Sequence, residues 1–137
     1  MCAPISIRPF AIEDAEQVRN LFIRVNRQLA PPHLKQAFEA YIEKSLREEI
    51  DHIAGYYGDK KGGFWVAVDG ETIVGMFGLE PSPPGAMELR RMYVDPGARR
   101  RGIARDMLSF AENECRQRNR PRVDLSTSEL QDAALQF

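Results

Sequence analysis

The alternation of Ile5-Ser-Ile-Arg8 predicts a short first strand, which Pro9 ends. Ile12, Ala15, Val18, Phe22 and Val25 recur at three- and four-residue spacing, so a helix is predicted over about residues 12–28, and Pro31-Pro32 breaks it. Leu34, Phe38, Tyr41, Leu46 and Ile50 predict a second helix. The glycine- and tyrosine-rich stretch from Ile53 to Gly63 reads as a loop. Two β-rich runs, Phe64–Val68 and Thr72–Leu79, flank Asp69-Gly70 and predict a hairpin with a two-residue turn. Glu80 to Gly85 carries three prolines and reads as a connector to a strand over Met87–Val94. From Gly102 a helix gathers Ile103, Met107, Phe110, Ala111 and Cys115 near one face. Pro121 precedes a strand from Arg122 to about Leu125, and a final helix begins near Leu130. With no repeat, linker or low-complexity tract, residues 1–137 read as one domain.

At 137 residues the chain can bury a core, and 43% apolar with 28% charged residues is the composition of an ordinary soluble globule. Nineteen Lys and Arg against twenty Asp and Glu leave a formal charge of −1, which argues against bulk binding of nucleic acid or anionic membrane. The basic residues are uneven: Arg90, Arg91, Arg99–Arg101 and Arg105 cluster, as do Arg116, Arg118, Arg120 and Arg122. Acidic residues gather earlier, at Glu39, Glu43, Glu48, Glu49 and Asp51. An anionic ligand toward the C-terminal half and an amine nearer the acidic segment follow as expectations. Cys2 and Cys115 have no disulfide or zinc spacing, which suits a reducing cytoplasm, and His33 and His52 lack metal-ligand spacing. No apolar run resembles a signal peptide or approaches a membrane span, so the expected location is cytoplasmic and no metal is implied.

The segment richest in chemistry is Glu88-Leu-Arg-Arg-Met-Tyr-Val-Asp-Pro-Gly-Ala-Arg-Arg-Arg-Gly-Ile-Ala104, a strand running through a short turn into a helix. The first N–H groups of a helix lack intrahelical partners and the helix dipole adds positive charge there, so an anion is favoured. Gly102 lets backbone approach a phosphate, and Arg99, Arg100 and Arg101 surround it with charge. Arg99-x-x-Gly102-x-Ala104 resembles the Q/R-x-x-G-x-G/A pyrophosphate loop of the GCN5-related N-acetyltransferases (GNAT). The residues before it resemble that family's fourth strand, and Leu125–Ala134 its fifth strand and following helix, in register from about Ile5 to the last residue.

The resemblance implies an α/β fold: a mixed, mostly antiparallel sheet flanked by helices in the order β-α-α-β-β-β-α-β-α. Family members usually continue with a tyrosine and two more strands, whereas this chain stops at Phe137, so it reads as truncated or as a shortened variant lacking the C-terminal strands. The edge those strands would cover is then open, and pairing between chains, as a homodimer or an aggregate, is expected.

The resemblance also assigns roles. Arg99, Arg100, Arg101, Gly102, Ile103 and Ala104 would cradle the pyrophosphate of acetyl-CoA, while the backbone at Met92, Tyr93 and Val94 would pair with its pantetheine arm. Gln131 stands where many relatives carry an asparagine that touches the coenzyme, or is an ordinary first-turn residue. Glu88 is the favoured general base, with Glu80 as runner-up; the alternative for Glu88 is a structural pair with Arg90 or Arg91. The tyrosine that often protonates the leaving thiolate would fall beyond Phe137.

The implied partners are acetyl-CoA and an amine acceptor, with Glu39, Glu43 or Asp51 attracting the amine. Trp65 either lines that acceptor site or sits in the core. The expected function is therefore an N-acetyltransferase acting on a primary amine. A non-catalytic acyl-CoA-binding or regulatory domain is the alternative, and a phosphate- or nucleic-acid-binding module is the third. Drug, polyamine, amino acid, peptide N-terminus and protein lysine all remain open as acceptors.

Overall fold

The computed structural model describes residues 4–125. Five strands, β1 (Ile5–Pro9), β2 (Gly63–Asp69), β3 (Thr72–Ser82), β4 (Ala86–Val94) and β5 (Arg122–Leu125), form one sheet in chain order. The first four are antiparallel neighbours; β5 runs parallel to β4, which requires a crossover, supplied by helix α4 (Ile103–Gln117). Helices α1 (Ala15–Leu29), α2 (Lys35–Glu48) and α3 (Ile53–Asp59) cover the opposite face.

Strand alternation sorts side chains between two cores. On one face Phe64, Val66, Val68, Ile73, Met76 and Tyr93 meet Val18, Leu21, Phe22 and Val25 of α1, Ile42 and Leu46 of α2, and Ile53 and Tyr57 of α3. On the other, Trp65, Ala67, Val74, Phe77, Leu79, Met87 and Leu89 meet Ile103, Met107, Ala111 and Cys115 of α4. Cys115 is thus a small buried apolar group, and Trp65 stacks on Phe77 with ring centroids 5.4 Å apart, which places its ring in the core.

Three boundaries differ from the sequence expectations. Residues 53–59 are helical, because Ile53 and Tyr57 lie one turn apart and both bury, while Gly55 and Gly58 face open space. Strand β3 continues through Pro81 to Ser82, and only Pro83, Pro84 and Gly85 make the turn into β4. In the hairpin, Asp69 pairs with Thr72, so the turn residues are Gly70, at φ +62, and Glu71. The first helix also opens with a 3-10 turn over Ile12–Asp14. There the Asp14 carboxylate accepts the Ala11 N–H at 2.8 Å and two bonds from Arg8 at 2.7 and 2.9 Å, tying the helix start to β1.

Gly78 is dictated by packing. A Cβ there would stand 2.7 Å from ring and hydroxyl atoms of Tyr57, which is 2% exposed and hydrogen-bonded at its far end. Gly78→Ala is expected to cost about 1–3 kcal/mol by overpacking. Chemical denaturation reads this directly, and an unchanged midpoint would show that the ring yields freely.

Candidate active site

Strand β4 changes phase along its length. Met87 and Leu89 face α4, and so do Met92 and Val94, although one is an odd-numbered pair and the other even. The shift is made at Arg91, which takes φ +54, and Phe77 of β3 lacks a single opposite residue: Met76 pairs with Tyr93, but Gly78 pairs with Arg90. This is a β-bulge, with one extra residue on β4. Arg90 and Arg91 consequently both reach the face covered by α1–α3.

Among the described residues, β5 pairs with Ala86–Leu89 only, so β4 has no strand partner on that side from Arg90 onward. Met92 and Val94 thus lie on a stretch whose outward backbone groups are available to an extended ligand. Tyr93 contributes no side chain there. Its ring is buried and meets Phe22 edge-on at 5.7 Å.

Beyond Val94 the chain is pinned before it reaches α4. The Asp95 N–H donates to the Val74 carbonyl at 2.8 Å, its side chain accepts from the Gly97 N–H at 2.9 Å, and Arg24 reaches it at 2.5 Å. Arg100 and Gly102 follow with φ of +68 and +73, and Gly102 caps α4. Val94, Ala98, Arg99, Arg100, Gly102, Ile103, Ala104 and Arg105 line a cavity of about 360 Å³. The open helix start at Ile103 and Ala104 faces this space with its dipole. Arg99 and Arg100 are exposed and, among the described residues, form no ion pair, whereas Arg101 donates to Asp69 at 2.7 Å. The three consecutive arginines therefore divide: two offer charge at the cavity, and one ties the loop to the end of β2. A cationic, glycine-capped cavity beside a strand end that no described strand pairs on its outer side fits a long ligand with a phosphorylated end.

The other side of β4 carries carboxylates. Glu80, Glu88 and Asp124 are register partners on β3, β4 and β5. Arg90 donates to Glu88 at 2.7 Å and to Glu49 at 2.7 Å, and its Nε lies 3.3 Å from Glu80. Glu88 is half-buried and ion-paired, the arrangement foreseen as the alternative to a free base. Glu80 accepts from the Tyr56 hydroxyl at 3.1 Å, and burial together with the nearby carboxylates outweighs Arg90 and holds that phenol up to about 12.

Glu49 anchors the group, a role the sequence does not mark, where it stands only as one member of an acidic run. It is 3% exposed and accepts from Arg90, from Arg91 at 2.9 and 3.1 Å, and from the Tyr57 hydroxyl at 2.7 Å. Arg91 also donates to the Tyr41 hydroxyl at 2.6 Å. Burial pushes the Glu49 carboxyl up, but the bonds from Arg91, Tyr57 and Arg90 prevail and hold it below the usual glutamate value. The signal that points to such an acid is the apolar phase break between Leu89 and Met92, which leaves two arginines on one buried face.

Other candidates are held elsewhere. Glu39 pairs with Arg27 at 2.9 Å, Asp51 with Arg19 at 3.1 Å and Glu43 with Arg47 at 3.8 Å, so those surface charges are locally compensated. Arg116 and Arg118 face Glu112 and Glu114, Arg120 donates to the Ala86 carbonyl and Arg122 pairs with Asp124, so the C-terminal basic cluster is engaged within the chain. His33 and His52 are exposed, and among the described residues no group of His, Cys, Asp and Glu could hold a metal. Gln131 and the predicted last helix lie outside the described residues. No described helix is long and apolar enough to cross a membrane.

Comparison with known proteins bears on the family and the fold. The model of the acetyltransferase (GNAT) family matches residues 19–137. N-acetyltransferase 8B of Rattus norvegicus is 31% identical over 106 residues, covering 73% of this chain and 48% of the relative. N-acetyltransferase 8 of Homo sapiens is 28% identical over 107 residues, covering 74% and 47%. The chain thus spans about half the length of the curated relatives it matches. Among solved structures, PaiA N-acetyltransferase from Thermoplasma acidophilum in complex with coenzyme A superposes with TM-score 0.77 at 19% identity, over 98% of this chain and 86% of that one. A GNAT-family acetyltransferase from Staphylococcus aureus gives 0.75 at 22% identity, over 98% and 80%.

Because the Glu49 carboxyl ionises more readily folded than unfolded, its contribution to stability is present above about pH 4.5 and is lost as pH falls through the lowered folded value. Glu49→Gln is expected to cost about 3 kcal/mol at pH 7, leaving two largely buried arginines short of a counter-charge. Denaturation midpoints measured from pH 7 to pH 3 should show a shallower acid limb in the variant; parallel limbs would contradict this account.

Proposed function

The chain belongs to the acetyltransferase (GNAT) family, and on that premise we propose that it transfers an acetyl group from acetyl-CoA to a primary amine by direct attack on the thioester. The observation that carries the reading is the continuity of the end of β4, whose outer side pairs with no strand among the described residues, with the glycine-capped, arginine-flanked cavity at the start of α4. Arg99, Arg100 and the amides at Gly102–Ala104 hold the pyrophosphate. The backbone of Met92 and Val94 aligns the pantetheine, and an N–H of this stretch polarises the thioester carbonyl.

With both substrates held side by side, catalysis is mainly positioning and proton removal. The neutral amine nitrogen attacks the carbonyl carbon, a C–N bond forms and the C–S bond breaks, and the leaving thiolate takes up the proton that the nitrogen sheds on becoming the amide. Glu88, on the face opposite α4, is the assigned base for the ammonium proton, acting directly or through water, with Glu80 beside it on β3. Named relatives support the choice of chemistry: N-acetyltransferases at 28–31% identity, and a neighbour holding coenzyme A.

The Glu88–Arg90 pair favours a second reading, an acyl-CoA-binding domain without turnover, since this carboxylate already accepts from a guanidinium at 2.7 Å rather than standing free to meet an acceptor. Calorimetric titration with acetyl-CoA should show binding near micromolar, about −8 kcal/mol. Arg100→Glu/Gly102→Asp should abolish it, because a Cβ at Gly102 sits at φ +73 and 3.0 Å from Arg105 Nη2. A folded wild type without affinity would sink the coenzyme assignment. Amine-dependent thiol release separates enzyme from binding domain. Glu88→Gln should lower kcat about 10²- to 10⁴-fold with acetyl-CoA affinity unchanged; an unchanged kcat would remove Glu88 from the chemistry.

A further inference from the structure

Resting on the coenzyme reading above, we propose that Glu49 is a positioning residue: by clamping Arg91 in the β4 bulge it fixes the phase of Met92–Val94 and so the alignment of this strand with acetyl-CoA.

Strict alternation from Leu89 would put Arg91 on the apolar α4 face, turn Met92 toward Glu49 and move Tyr93 away from Phe22. The one-residue bulge prevents all three. It needs a non-glycine residue at φ +54, a conformation that L side chains rarely adopt and that persists only where the surroundings over-determine it. The surroundings do so here. Glu49 receives Arg91 through both Nε and Nη2 in a fork, Tyr41 accepts from Nη1, and the guanidinium lies 5.5 and 5.6 Å from the rings of Phe22 and Tyr41. Once Arg91 is committed to this face, Tyr93 returns to the α1 core and Val94 to the cavity wall. Glu49 lies between α2 and α3, so the helical layer and the coenzyme strand are joined through one buried carboxylate.

The test compares acetyl-CoA titrations of wild type, Glu49→Gln and Asp14→Asn, each well below its unfolding midpoint. Asp14 is the control because it is also buried and arginine-paired, but on the β1 side of the sheet. Glu49→Gln should weaken binding by about tenfold or more, the scale of a slightly misplaced ligand contact. Hydrogen exchange should speed up locally at β4 amides around Arg91. Asp14→Asn should lower stability and leave affinity unchanged.

A folded Glu49→Gln protein that binds like wild type, or equal weakening by both variants, overturns the positioning role while leaving the coenzyme assignment intact. A wild type that does not bind overturns both. If Glu49→Gln does not fold, Tyr41→Phe decides. It removes only the 2.6 Å bond to Arg91, so weakened affinity supports the clamp and unchanged affinity overturns it.

Discussion

The arrangement around β4 depends on one buried carboxylate that has to satisfy two arginines. Glu49 lies beneath the helices at 3% exposure, and Arg90 and Arg91 approach it from consecutive positions of the same strand. Consecutive residues of a regular strand point to opposite faces, so this pairing is incompatible with regular β4 geometry. The bulge resolves the conflict, and the strand emerges with its alternation inverted. Burying such charges is expensive, and their net contribution to stability is small compared with the penalty for removing either partner. What the cluster supplies is a choice between two strand phases that would otherwise compete.

That choice reaches both sides of the sheet. Toward α4, Met92 and Val94 complete the apolar face and lead into the loop at Arg99–Ala104. Toward α1–α3, Arg90 holds Glu88 and approaches Glu80, so the candidate base belongs to a charge network rooted in the core.

Much of the architecture was legible because apolar spacing and turn chemistry agree. The helix faces at Val18–Phe22–Val25 and Ile103–Met107–Ala111, the hairpin around Gly70 and the strand–turn–helix at Gly102 needed only local rules. The misreadings came from composition overriding pattern. Glycine at 55 and 58 suggested a loop, yet Ile53 and Tyr57 carry the helical period. Prolines at 81, 83 and 84 suggested a connector, yet Pro81 fits within β3. In the site, the loop motif was readable, but the split among its arginines was not, since partners such as Asp69 lie far off in sequence. Glu49 was hidden for the same reason, while the inverted alternation that demands it stands in plain view between Leu89 and Met92.

The Arg101–Asp69 pair binds the loop before α4 to the hairpin end of β2, thirty-two positions earlier in the chain. Three identical letters in a row thus carry different structural duties. Arg99 and Arg100 are exposed beside the cavity and, among the described residues, form no ion pair. Arg101 answers to a partner within the fold, so a change of charge there is felt at position 69, on a different strand, in a way that a change at its two neighbours is not.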